Sequence, residues 1–260
     1  MIERGMLDRI WNATCAIGVL QSTGNETSQG ARQGHHWIFG SGFLIGRKRI
    51  ATSPQVVEHV KDIELPIDRI HVQFTFRRAD GEMVQACRRV VGICALDPKG
   101  IEIGVMEVNL EADDEARWCQ PAPIIPRIED VRLSESIGVL GFPAWTELPV
   151  DEKTCAHSSS RFGPILFQRY VAGFFPREGV PEIHRLIVDV MGADGLFGSP
   201  VFRAETGEII GVFAGTDLVG RIDDGKKMGD TVESGHVVAL DQRKLLELHE
   251  KCDTANQRKK

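Results

Sequence analysis

Residues 40–57 read GSGFLIGRKRIATSPQVV. Gly42 to Ile45 is a short apolar run closed by a glycine, which reads as a β-strand. Upstream, Ala13 to Leu20 reads as another strand, with the polar stretch Gln21 to Gln33 as the loop between them. Downstream, Ile70 to Arg77 and Val84 to Ile93 flank Asp80-Gly81, a dipeptide suited to a tight hairpin, and Ile103 to Val108 is a further apolar run. Short runs rich in Val, Ile and Phe at spacings of about ten residues indicate sandwich or barrel β-structure.

Glu111 to Arg117 is acidic and reads as a solvated loop. Pro121, Pro123 and Pro126 then mark a linker, because proline stiffens the chain and cannot donate to a ladder. The expected boundary lies near residue 125, giving units 1–125 and 126–240. The second unit draws strands from Ser136 to Leu140, Pro164 to Phe174, Arg185 to Val190 and Ile209 to Ala214, with Glu205-Thr206-Gly207-Glu208 as a turn. Helical spacing is clear only in Asp241 to Cys252, where Leu245, Leu246 and Leu248 fall on or near one face and Asp241 is a candidate cap. Residues 253–260 are expected to be a frayed tail.

The 260 residues are 42% hydrophobic and 26% charged, which excludes a disordered or fibrous chain. A formal charge of -6 argues against a broadly basic nucleic-acid footprint. The first eleven residues place Glu3, Arg4, Asp8 and Arg9 among apolar ones, unlike a secretory signal, and no run reaches the roughly 18 apolar residues of a membrane span. Cys15, Cys87, Cys94, Cys119, Cys155 and Cys252 include no C-x-x-C pair. Reduced thiols and a cytoplasmic location are therefore expected, with no membrane association.

Several strings, in this order along the chain, resemble the trypsin-like serine proteases, most closely their HtrA-like branch. Gly40 to Gly46 resembles the Gly-Ser-Gly strand before the catalytic histidine, and Ile50 to Val57 resembles the segment carrying it. The match puts Gln55 in the histidine position. Asp97 to Met106 is similar to the family's D-P-x-x-D-I-A-V-L with one inserted residue, which puts Glu102 where the aspartate would be. Val131 to Pro143 resembles the opening of the second barrel. Gly195 to Val201 lies over G-x-S-G-G-P, with Phe197 in the position of the nucleophilic serine and Gly195 at an oxyanion-hole position. The resemblance covers roughly residues 38 to 248. It implies an all-β chain of two antiparallel six-stranded barrels, followed here by the C-terminal helix.

Serine proteolysis needs an oxygen nucleophile, an imidazole that takes and returns its proton, and a carboxylate that fixes the imidazole tautomer. Phe197 has no heteroatom, and the Gln55 amide is no base near neutral pH. Glu102 keeps a carboxylate with no histidine to orient, and Gln55 is its expected hydrogen-bond donor. The Phe197 ring is expected to project to where a scissile carbonyl would sit. The expectation is a catalytically inactive pseudoprotease that needs no cofactor.

Other residues offer competing chemistry. Ser199 with His59 could form a relocated nucleophile and base, although Ser199 should point from a strand start; Asp194 is a candidate general acid or a support for the turn. His35-His36, beside Trp37, would point in opposite directions on a strand, so no metal site is expected and the pair is placed at the edge of the cleft. Arg77, Arg78, Arg88 and Arg89 flank one hairpin and, with Phe197, are the candidate surface for a protein partner. With Lys259 and Lys260 the same arginines would serve a nucleic-acid-binding alternative. The leading expectation is a protein-binding scaffold, an accessory subunit of a prokaryotic regulatory or defence complex such as a CRISPR-associated one. An active hydrolase with a relocated serine is the second alternative.

Overall fold

The computed structural model describes residues 4–26, 32–63, 66–77, 83–95, 102–110, 120–142, 147–151, 163–176, 183–189, 195–223 and 226–257. The Asp80-Gly81 turn, the acidic stretch 111–117, Arg78, Asp194, Lys259 and Lys260 lie outside them. Helix α1 is Arg4–Ala13. The first barrel takes β1 (Thr14–Glu26), β2 (Arg32–Gly46), β3 (Arg49–Thr52), β4 (Ile70–Arg77), β5 (Met83–Ala95) and β6 (Gly104–Val108). Their order is β1-β4-β5-β6-β3-β2, closed by the β1–β2 pairing. Helix α2 (Pro54–Asp62) follows β3.

The second half contributes β7 (Ser136–Gly141), β8 (Glu147–Asp151), β9 (Ile165–Pro176), β10 (Ile183–Val188), β11 (Pro200–Arg203), β12 (Ile209–Asp223) and β13 (Lys226–Ala239). Six of them close a barrel in the order β10-β13-β12-β11-β7-β9, and β8 instead pairs with β2 of the first barrel. Helix α3 (Gln242–Gln257) ends the described chain. The architecture is the expected pair of six-stranded antiparallel barrels.

Alternation explains the wall of the first barrel. In β4, Ile70, Val72, Phe74 and Phe76 are buried in the core, with His71, Gln73 and Thr75 on the other face. A second cluster, including Val139, Leu186 and Phe213, fills the second barrel. The proline segment joins them: the Ile125 N–H donates to the Ile209 carbonyl at 2.9 Å and the Ile209 N–H donates to the Pro123 carbonyl at 2.7 Å. Ala122 and Ile124 meanwhile belong to the first core.

Elements differ from their expected bounds for identifiable reasons. Of the polar stretch 21–33, residues 21–26 and 32–33 belong to β1 and β2, which are still paired at Glu26 and Arg32, because backbone pairing does not depend on apolar side chains. Helix α2 is capped by Ser53, whose side chain accepts from the Val56 N–H, with Pro54 in the first turn. Helix α3 runs five residues past 252, into the stretch expected to fray. Its Asp241 cap is present, accepting from the Lys244 N–H at 2.9 Å. Leu248 is buried while Leu246 is 63% exposed. No helix among the described residues is long and apolar enough to cross a membrane. Cys15, Cys87 and Cys252 are not in disulfides.

Candidate functional site

The Gly-Ser-Gly stretch of β2 runs beside the turn at 195–199. A Cβ at Gly40 would lie 2.4 Å from Val56 Cγ2, so glycine lets α2 pack directly on the strand. The Ser41 N–H donates to the Phe197 carbonyl at 2.8 Å, and Ser41 Oγ donates to the Gly195 carbonyl at 2.8 Å while accepting from the Phe142 N–H at 2.9 Å. Thr52 Oγ1 donates to the Ser41 carbonyl at 2.7 Å. Ser41 is fully buried and ties β2 to both the turn and the end of β7.

The turn closes through the Ser199 N–H and the Leu196 carbonyl at 2.9 Å. Gly198, its third residue, has φ +88°, the left-handed value that a type II turn needs there. Gly195 is also left-handed, at +85°. Phe197 is thereby held with its ring stacked on Phe213, centroids 6.3 Å apart and planes 10° from parallel. The ring packs against the cores of both barrels. With Phe39, Gln55, Val56 and His59 it lines a cavity of about 200 Å³.

Gln55 is exposed in the first turn of α2. Its side chain makes no hydrogen bond to Glu102, contrary to expectation. Glu102 Oε2 instead accepts from His184 Nε2 at 3.1 Å and from Arg185 Nε and Nη2 at 3.0 and 2.7 Å. Glu102 has φ +55°, a left-handed conformation uncommon outside glycine. The guanidinium of Arg185 and the ring of His184, both on β10, give stronger charge-assisted bonds than a neutral amide would. Gln55 and Glu102 face each other only across a second cavity of about 170 Å³, which Arg185 and Ala214 also line.

Burial raises the Glu102 pKa, but hydrogen bonds and charge from Arg185 and His184 outweigh it and hold the carboxyl below its ordinary 4.5. A carboxylate with a depressed folded pKa stabilises the fold above its unfolded pKa and loses that contribution as pH falls through the folded value. Glu102→Gln is therefore expected to flatten the acid side of the melting-temperature profile between about pH 5 and pH 3. Parallel thermal melts of the two proteins across that range check it.

The remaining candidates separate. Ser199 is fully buried, its Oγ without a hydrogen-bond partner among the described residues and packed on Gly141, where an added Cβ would sit 1.9 Å away. His59 is exposed, edge-on to Phe39 at 4.9 Å between centroids. One candidate of the relocated pair is thus sealed in the core and the other faces outward. His36 is buried with Nδ1 3.1 Å from Gln73 Oε1, so it belongs to the barrel wall and lines neither cavity. No group of three or more His, Cys, Asp or Glu among the described residues is placed to hold a metal ion.

Arg88 and Arg89 are consecutive on β5 and take opposite faces, opposite Val72 and His71 respectively. Arg77 pairs with Met83, at the far end of the ladder from Arg89. Six strand residues separate the two ends, about 20 Å. By backbone position Arg77, Arg88 and Arg89 therefore do not share one face at one end of the ladder. His184, Arg185 and Phe213 were not singled out from the sequence, because they reach the site from strands remote in the chain and carry no local motif.

No family model and no curated protein matches the sequence. Among solved structures, "Crystal structure of Deg5" aligns with a TM-score of 0.51 at 16% identity, covering 81% of this chain and 82% of that one. "HtrA-type protease AlgW with decapeptide" aligns with a TM-score of 0.56 at 12% identity, covering 96% of this chain and 67% of that one. At such identities the likeness concerns the fold, and the chain has the two-barrel, trypsin-like fold of the HtrA-type proteases.

Proposed function

We propose that this chain is a catalytically inactive trypsin-like domain, a pseudoprotease, that serves as a protein-binding scaffold. The observation that carries the reading is Phe197 at the nucleophile position, its carbonyl bonded to the Ser41 N–H and its ring stacked on Phe213. A hydrocarbon ring fixed there supplies no nucleophile. Gln55 supplies no base, and the one carboxylate that the family motif retains is engaged by β10. The glycines and buried polar groups that build the site are in place, so the framework outlasts the chemistry. Two small cavities flank Gln55 and give a partner segment somewhere to seat side chains.

Purified folded protein is expected to take no label from an active-site-directed fluorophosphonate and to leave casein uncut. Labelling of any serine, lost on its replacement by alanine, would overturn inactivity. Binding is tested separately, by identifying chains that co-purify in stoichiometric amount from the native host. Retention that drops with Phe197→Ala supports the cleft as the docking surface, and retention unchanged by that variant removes it.

A further inference from the structure

Helix α3 returns to the first barrel and packs on it beside the β2–β3 turn, far in sequence from the cleft. His249 sits in the middle of this helix, half-buried. A Cβ on Gly46 would lie 2.8 Å from its Cε1, so the ring rests directly on the backbone of β2. Arg49 Nη1 lies 3.0 Å from His249 Nδ1. The same guanidinium donates from Nη1 to the His249 carbonyl at 3.4 Å and from Nη2 to Asp253, one helical turn on. Glu107 of β6 stands 3.9 Å from Arg49 Nε.

This arrangement fixes the protonation state. Arginine only donates, so Nδ1 must present its lone pair, and the backbone carbonyl of Ile45 accepts from the ring. A neutral ring satisfies both contacts. A protonated ring would turn an N–H toward a guanidinium and set two cations about 3 Å apart, where they repel. Asp253 and Glu107 offer little relief, since both already face Arg49.

We propose that α3 is held on the first barrel by an acid-labile latch, in which neutral His249 accepts a hydrogen bond from Arg49 and protonation of the ring releases the helix. Burial, then the charge of Arg49, keeps His249 harder to protonate than an ordinary histidine of pKa 6.5. A histidine depressed in this way supports docking fully above the undocked pKa and loses that support as pH falls below it. The docking equilibrium weakens by up to about tenfold per pH unit between 6.5 and the docked value. Release bares Leu248 and Cys252, now 1% and 0% exposed, together with the groove they fill. Mild acid is thus converted into an apolar surface away from the cleft. The latch does not depend on the reading of the cleft.

Hydrogen exchange of the α3 amides in the full chain at about pH 7.5 and about pH 5.5, corrected for the intrinsic rate, tests it, with β11 amides as reference. Wild-type α3 protection is expected to fall, by up to about tenfold, on acidification while β11 holds. His249→Asn offers a neutral acceptor to Arg49 and should remove the fall. Equal α3 protection at both pH values, or the same fall in the Asn variant, overturns the latch. Should that variant not fold, the titration of the wild-type His249 ring by NMR decides: a midpoint below 6.5 upholds the latch and one at or above 6.5 overturns it.

Discussion

Gly198→Ala is expected to destabilise the protein by about 3–5 kcal/mol, adding left-handed backbone strain to overpacking of a closed site. At φ +88° an alanine is strained whatever room it has, and here it has none. Its Cβ would lie 2.0 Å from the Ser41 carbonyl oxygen and 2.2 Å from Thr52 Oγ1, two atoms hydrogen-bonded to each other. Neither can retreat without opening the junction between β2, β3 and the 195–199 turn. Urea unfolding followed by tryptophan fluorescence measures the loss, which should appear as a lower midpoint with an unchanged slope. A shift under about 1 kcal/mol would mean the turn relaxes far more freely than its contacts allow.

Ser41→Ala is expected to cost about 2–4 kcal/mol, although it removes a single oxygen. That oxygen donates to the Gly195 carbonyl and accepts from the Phe142 N–H, at a site with no exposure to solvent. Two buried backbone groups each lose a hydrogen bond, at a cost of about 1–3 kcal/mol apiece. Ser41→Gly should cost about 0.5–1 kcal/mol more than Ser41→Ala, because glycine in a strand also loses more backbone freedom on folding. Ser41→Thr separates the roles: it keeps the hydroxyl and adds a methyl, so its cost reports space alone. The same unfolding experiment compares all three.

Much of this architecture was legible because it is local. Runs such as Ile70 to Arg77 alternate strictly, and the glycines of residues 40–46 and 195–198 mark where backbone must approach backbone. The Asp241 cap was equally plain, since the capped amide is three residues away. The long-range pairings were not legible. Glu102 was expected to meet Gln55, its partner by family resemblance, but its carboxylate meets His184 and Arg185 more than eighty residues on. Side-chain direction there follows from a left-handed φ that a glutamate gives no hint of adopting. The arginines looked like a patch because sequence proximity hides strand alternation, which parts Arg88 from Arg89. The proline segment was read as a linker, and what its sequence did not show is that its backbone is bonded to β12 on one side while Ala122 and Ile124 pack into the first core on the other.

The seating of β8 on β2 and of α3 against the first barrel bears on how the chain acquires its shape during synthesis. A ribosome delivers β1 to β6 before the strand that extends β2, at residues 147–151, and before the helix that packs on β5, after residue 242. Until then the first barrel has an unpaired strand edge and an uncovered apolar face, the features that make nascent chains associate wrongly. Its completion waits on residues 147–151 and 242–257, both translated after β6, so the first half reaches its final state only together with the second.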